Sequence, residues 1–210
     1  MVEPLTGLDA SRIRSNLEGI REQTGPEVEI LAATKYVPTE EMGALAEAGI
    51  ELVGENRLQD LETKRERWGE HFTWDFIGNL QSRKVKKILP LVRLIHSVAS
   101  DSALEQLGRH AGPEAEVLVE VNLSGEEDKG GIAPDELDAF IERCPVRVSG
   151  LMSMPPFTED PEESRPYFSR LAGLARDRGL ERLSMGTSQD WRVAVEEGAT
   201  IIRLGSVLWA

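Results

Sequence analysis

The 210 residues carry 40% hydrophobic and 29% charged side chains, an ordinary globular balance that supports a buried core. With 24 Lys and Arg against 37 Asp and Glu, the formal charge of −13 repels phosphate backbones and anionic lipid, so no nucleic-acid or membrane partner is expected. Three histidines argue against a His/Cys zinc cage, and the lone Cys144, unable to form an internal disulfide, fits a reducing compartment. Apolar runs fall far short of a bilayer span, and Met1 to Asp9 hold two acids and no base, unlike a signal peptide; a soluble cytoplasmic protein is expected.

An N-terminal helix is predicted from Ile13, Leu17 and Ile20 at helical spacing. Glu29 to Thr34 then reads as a doubly buried strand, Thr39 to Ala48 as a helix stopped by Gly49, and Ile50 to Val53 as a second strand. A charged helix carries Leu58, Leu61 and Trp68; Thr73 to Gly78 is a third strand, and a basic helix through Val85 and Ile88 ends at Pro90. Val92 to Val98 is the fourth strand, followed by a helix capped by Ser100 with Leu104 and Leu107; Ala115 to Asn122 is the fifth. Pro134 opens a helix through Leu137, Phe140 and Ile141, whose apolar stripe Cys144 continues. Val146 to Met152 is the sixth strand and Glu162 to Arg178 one long helix closed by Gly179. Leu183 to Gly186 is the seventh strand, Ser188 caps a helix ended by Gly198, and Ala199 to Leu204 is the eighth. Eight strands joined through helices require parallel neighbours and right-handed crossovers, which favours a single (β/α)8 TIM barrel over residues 1–210 with an additional N-terminal helix. The rival open, doubly wound sheet expects a Gly-rich fingerprint after its first strand, where Thr34-Lys35-Tyr36-Val37-Pro38 stands instead.

Barrel chemistry collects where strands end, and those ends here carry Lys35, Glu55-Asn56, Asn79 to Gln81, Ser97, Asn122 to Ser124, Met152 to Met154, Thr187-Ser188 and Arg203 to Ser206. Lys35 ends an apolar strand. A lysine desolvated there would have a lowered pKa and serve as a Schiff-base nucleophile; the plainer reading is a lysine snorkelling into water. Ser184 to Ser188 and Arg203 to Ser206, after the seventh and eighth strands, are candidate phosphate cradles, with Gly205 admitting an anion and Ser188 and Ser206 adding hydroxyls. A lysine beside a phosphate cradle suggests a Schiff-base aldolase or a pyridoxal phosphate site. His96, inside a strand, reads as a hydrogen-bonded structural histidine rather than a base; His71 and His110 lie in polar stretches. Arg83, Lys84, Lys86 and Lys87 form a basic cluster, a solvated helix face or a seat for an acidic partner.

Taken as an ordered set, these segments resemble the YggS/PROSC pyridoxal phosphate homeostasis proteins over nearly the whole chain. The carriers are Ala32 to Lys35, Gly54 to Asp60, Phe76 to Ser82, Ile95 to Val98, Val121 to Ser124, Lys129-Gly130-Gly131, Gly150 to Met152, Leu183 to Gly186 and Arg203 to Ser206. The resemblance implies a barrel similar to the N-terminal domain of alanine racemase. It makes Lys35 the aldimine lysine, sets Ser188, Gly205 and Ser206 on the cofactor phosphate, turns Arg203 to the pyridine nitrogen and places Asn56 beside the ring. The sequence departs slightly from the family: Thr187-Ser188-Gln189-Asp190 replaces Met-Ser-Asp-Asp, Ser206 stands where threonine is common, and the chain stops at Trp209-Ala210, earlier than many relatives.

A guanidinium opposite the pyridine nitrogen disfavours its protonation, which makes the ring a poor electron sink. Racemisation needs a second base on the far face of the substrate, and neither Tyr36, expected to point away from Lys35 on an extended segment, nor Tyr167, on an outer helix, is placed for it. The expectation is therefore a monomeric protein that holds and hands on pyridoxal 5'-phosphate, with PLP-dependent apoenzymes as partners, rather than an efficient enzyme. A weak amino-acid racemase is the first alternative. A Schiff-base aldolase on phosphorylated sugars, using Glu55 as acid/base, is the second.

Overall fold

Eight short parallel strands pair in sequence order until the last meets the first, so the sheet closes on itself and leaves no edge. They are β1 (Glu29–Ala33), β2 (Leu52–Glu55), β3 (Thr73–Phe76), β4 (Leu94–Val98), β5 (Glu116–Glu120), β6 (Arg147–Met152), β7 (Arg182–Thr187) and β8 (Ile201–Leu204). The helices are α1 (Ala10–Thr24), α2 (Met42–Glu47), α3 (Leu58–Trp68), α4 (Val85–Ile88), α5 (Asp101–His110), α6 (Leu137–Arg143), α7 (Arg165–Arg176), α8 (Trp191–Glu196) and α9 (Ser206–Trp209). The computed structural model describes residues 5–126 and 130–210, so Lys129 of the Lys129-Gly130-Gly131 segment lies outside the described residues. The (β/α)8 barrel with an additional N-terminal helix is the expected architecture.

Strand alternation sorts the core into two layers. Leu31, Leu52, Leu94, Leu118, Met152 and Ile201 fill the barrel. Their strand neighbours Ala32, Val53, Ile95, Val119, Leu151 and Ile202 face outward and pack with the helices. Among the inward positions, polar residues take over: Asp75, His96, Ser184 and Arg203 are all buried. The N-terminal end is laced by ion pairs from Arg93 to Glu29 and Asp75 and from Arg182 to Glu29 and Glu116. No helix among the described residues is long and apolar enough to cross a membrane.

Several boundaries differ from expectation for local reasons. The predicted helix from Glu162 to Arg178 is a 3-10 turn, Pro161–Ser164, followed by α7, because Pro166 has no N–H to donate and sits in the first turn of a new helix. The second strand starts at Leu52, not Ile50. Ile50 still belongs to the end of α2, its N–H donating to Leu45 O over Gly49 at φ +85°. Helix α2 begins at Met42 rather than Thr39. Helix α9 follows β8 within the stretch read only as a glycine turn.

Two glycines give opposite expectations. At Gly150 on β6 a Cβ would lie 1.9 Å from the Arg182 carbonyl oxygen. Gly150→Ala is expected to destabilise by about 1–3 kcal/mol through overpacking, read as a lower urea midpoint at unchanged m-value. Gly19, within α1, has nothing within 4 Å of that position, and Gly19→Ala is expected to raise stability by about 0.5–1 kcal/mol.

Candidate functional site

At the C-terminal mouth of the barrel, the first strand ends in a tight turn. Thr34 O accepts from Val37 N at 2.9 Å, and Lys35 and Tyr36 are the two residues at the tip. Lys35 is therefore two residues beyond the strand and exposed, which matches the reading of a lysine reaching into water and not that of a desolvated one; its Nζ stands 4.7 Å from the centroid of the Tyr36 ring. The turn also corrects the expected direction of Tyr36, because a turn does not alternate as an extended segment does. Beside it lies a cavity of about 790 Å³ lined by Lys35, Tyr36, Pro38, Asn56, Arg57, Asp60, Thr63 and Lys64, large enough for a cofactor-sized ligand. Asn56 Oδ1 is buried there without a hydrogen-bond partner. Gly78 lets the β2–α3 turn close on the barrel, since a Cβ would fall 2.0 Å from the Asn56 carbonyl oxygen.

Ser188 does not cap α8 as its spacing predicts. That turn is held by Asp190, whose carboxylate accepts from Thr187 N at 2.7 Å, Thr187 Oγ1 at 3.0 Å and Ser164 Oγ at 2.9 Å. With its local role taken, Ser188 Oγ reaches across to the next strand end and accepts from Gly205 N at 2.9 Å and Val207 N at 3.4 Å. Ser188, Gly205 and the exposed Ser206 thus converge where α9 begins. A Cβ on Gly205 would meet nothing closer than 3.8 Å, and the Ala33 carbonyl at 4.0 Å puts this corner against the end of β1, two residues before Lys35. Hydroxyls, neighbouring backbone amides and an open approach suit a phosphate.

Arg203 lies beneath this corner, buried inside the barrel. It donates to Ser184 Oγ at 2.6 Å, Ser153 O at 2.9 Å and Met154 Sδ at 2.9 Å. Ser184 Oγ also meets His96 Nδ1 at 2.8 Å, and His96 Nε2 meets Asp75 Oδ2 at 3.1 Å. Asp75 is gripped by Arg93, so it is ionised; the proton then sits on Nε2, and Nδ1 accepts from the Ser184 hydroxyl. Each link of this series pairs a donor with an acceptor. Burial raises the Asp75 carboxyl, but the His96 and Arg93 bonds outweigh it and hold it below the ordinary range. Burial lowers Arg203 to about 10, against the pull of Glu120 and Asp190, which leaves it cationic at neutral pH. Burial raises the Glu120 carboxyl, opposed by Arg203.

All six expected cofactor residues, Lys35, Asn56, Ser188, Arg203, Gly205 and Ser206, thus lie at one end of the barrel. Glu55 does not join them. It faces outward from β2, fully buried, and is bonded by Thr34 Oγ1 and Lys64, so it offers no acid/base group at the mouth. Sequence reading named Ser153 and Ser184 only as members of strand-end segments; it did not assign Ser153, whose buried Oγ has no partner, or Ser184 to the barrel interior. Alternation from the outward-facing Leu183 and Met185 is the signal that assigns Ser184 to the interior. Orphaned Asn56 and Ser153 atoms, an amine, a hydroxyl-and-amide corner and a fixed cation fit an aldehyde- and phosphate-bearing aromatic cofactor.

The buried histidine gives a pH test. Burial holds His96 below the ordinary 6.5, outweighing Asp75. The unfolded chain therefore takes up its proton first, and stability present above about 6.5 is lost as pH falls below it. The unfolding midpoint is expected to drop between pH 7 and pH 5, and His96→Gln to flatten that dependence; equal slopes would contradict a neutral His96.

Comparison with known proteins shows the family and agrees with the fold. The family described as alanine racemase, N-terminal domain, matches residues 8–210. The pyridoxal phosphate homeostasis protein of Aquifex aeolicus is 41% identical over 195 residues, covering 86% of this chain and 85% of its own. The structure of PipY from Synechococcus elongatus PCC7942, with PLP bound, superposes with a TM-score of 0.83 at 32% identity, covering 94% of this chain and all of that one. Alanine racemase from Corynebacterium glutamicum shares the fold at 17% identity and a TM-score of 0.74, over 96% of this chain and 60% of its own. The chain belongs to the alanine racemase N-terminal domain family and, within it, to the pyridoxal phosphate homeostasis proteins.

Proposed function

We propose that this protein binds pyridoxal 5'-phosphate through Lys35 and serves intracellular vitamin B6 homeostasis as a holder of the cofactor, without strong catalysis of its own. One observation carries the reading: the Ser188–Gly205 corner abuts the end of β1, the strand that leads into Lys35, and buried Arg203 stands two residues before Gly205, which supports a single site for amine, phosphate and ring. When bound, the cofactor supplies an aldehyde that combines reversibly with an amine. Lys35 provides that amine. Ser188, Gly205 and Ser206 hold the phosphate, Asn56 lies beside the ring, and Arg203 faces its nitrogen.

The same residues favour holding over catalysis. Arg203 remains cationic at neutral pH and so opposes a proton on the ring nitrogen it faces. Tyr36 lies against Lys35 itself, and Tyr167 is on α7 outside the barrel, so neither supplies a base on the opposite face. Exposure of Lys35 suits release to PLP-dependent apoenzymes, with the protein acting as a monomer. The shared racemase fold keeps weak racemisation as a second reading, recognised by an activity lost in Lys35→Ala.

Added pyridoxal phosphate is expected to produce a visible absorbance band that borohydride converts to a stable pyridoxyl adduct, mapped to Lys35. Lys35→Ala is expected to lose the band. Ser188→Ala is expected to weaken affinity about tenfold, the loss of one bond to a charged oxygen. An adduct scattered over surface lysines would sink the assignment.

A further inference from the structure

The one deeply buried lysine among the described residues is not the exposed Lys35 but Lys64. It follows Leu58 and Leu61 along the barrel-facing stripe of α3 and reaches back to β1 and β2. Its ammonium donates to the Glu55 carboxylate and, at 2.8 Å, to the Thr34 carbonyl. Thr34 is immobilised from every side: its N–H donates to Gly54 O at 3.0 Å and its hydroxyl to Glu55 Oε1 at 2.6 Å. The other Glu55 oxygen accepts from Asn56 N at 3.3 Å.

A buried Lys–Glu pair is a poor way to gain stability, because two charges leave water and a well-packed apolar pair holds a helix to a sheet as well. What an apolar pair cannot do is donate to a carbonyl. The Thr34 oxygen that Lys64 grips is also the acceptor that closes the turn bearing Lys35. We infer that Lys64, held by Glu55, is a positioning residue: it fixes the Thr34 carbonyl and so aims the turn that presents the Lys35 amine. Lys64 does not itself react, since its ammonium is committed to two acceptors. The inference deepens the proposed function and rests on Lys35 being the cofactor's amine.

The test compares two ligands on the full chain. Pyridoxal 5'-phosphate can bond Lys35; pyridoxine 5'-phosphate, an alcohol, occupies the same donors but cannot. The double variant Glu55→Gln/Lys64→Met leaves no unpaired buried charge. It is expected to keep its thermal midpoint within a few degrees, to bind pyridoxine 5'-phosphate within twofold of the parent, and to lose about tenfold or more in pyridoxal 5'-phosphate affinity and in borohydride-trapped label at Lys35. Unchanged affinity for both ligands, or an equal loss for both, overturns the positioning role. Should the double variant not fold, Lys64→Gln, too short to reach Thr34 as lysine does, is read by the same ratio. A parent that never labels at Lys35 instead removes the proposed function, a result the parent alone decides.

Discussion

A guanidinium buried inside a ring of eight strands is the constraint on which the interior depends. Arg203 must find acceptors without water, and leaving even one buried polar group unmatched costs about 1–3 kcal/mol. The acceptors come from different strands: Ser184 from β7, the Ser153 carbonyl from just beyond β6. Ser184 can accept from Arg203 because its own proton goes to His96, which in turn needs Asp75, which needs Arg93 and through it Glu29. Charge alternates along the chain from cation through two neutral groups to anion, cation and anion. One side chain at the mouth is thereby tied to the opposite end of the barrel, and its position is set by the registers of β3, β4, β7 and β8.

The same strand ends separate the work of the site into inner and outer faces. On β8, Arg203 points inward while Leu204 packs with the helices. On β2, Glu55 turns out to Lys64, and the next residue, Asn56, opens on the cavity. Thr34 and Lys35 divide likewise, the first locked into the wall and the second displayed at a turn tip. Residues adjacent in sequence thus face opposite ways: outward groups hold the loop geometry, and the inward and mouth-facing groups are those proposed to meet the cofactor.

Short apolar runs cycling with helices bounded by glycine and proline made the eight strands, their order and the closed barrel legible before any coordinates. The six candidate residues were legible as strand-end polar groups, and the family resemblance assigned their roles. What escaped was any feature decided between elements. Ser188 has the spacing of a helix cap, yet Asp190 two residues on takes the turn and frees it for Gly205. Lys35 has the place of a desolvated amine, yet the desolvated one is Lys64, nine residues beyond the glutamate that neutralises it and out of reach of any local pairing rule. Glu55 and Asn56 read as one polar pair because a list of strand ends does not record which way each faces. The missed boundary inside Glu162 to Arg178 is different in kind: Pro166 was visible, and a proline there marks a first turn rather than a helix interior.

In the proposed role the two ends of the cofactor face unlike surroundings. The ring end rests on a buried cation whose partners are all satisfied, a rigid seat with little to gain from rearranging. The aldehyde end meets an amine on an exposed turn. An enzyme that stabilises a reactive intermediate closes that end against water and sets acid and base groups on both sides of it. A holder needs the reverse, because a covalent link that must come apart requires water or an incoming amine to reach it. Fixed recognition below and an accessible bond above allow tight selection of the ligand together with its release, provided the turn carrying Lys35 keeps its aim while its tip stays open. Anchoring by a side chain whose polar atom is committed to the wall meets both conditions, and the Thr34 carbonyl, gripped from the α3 side, lies where such an anchor acts.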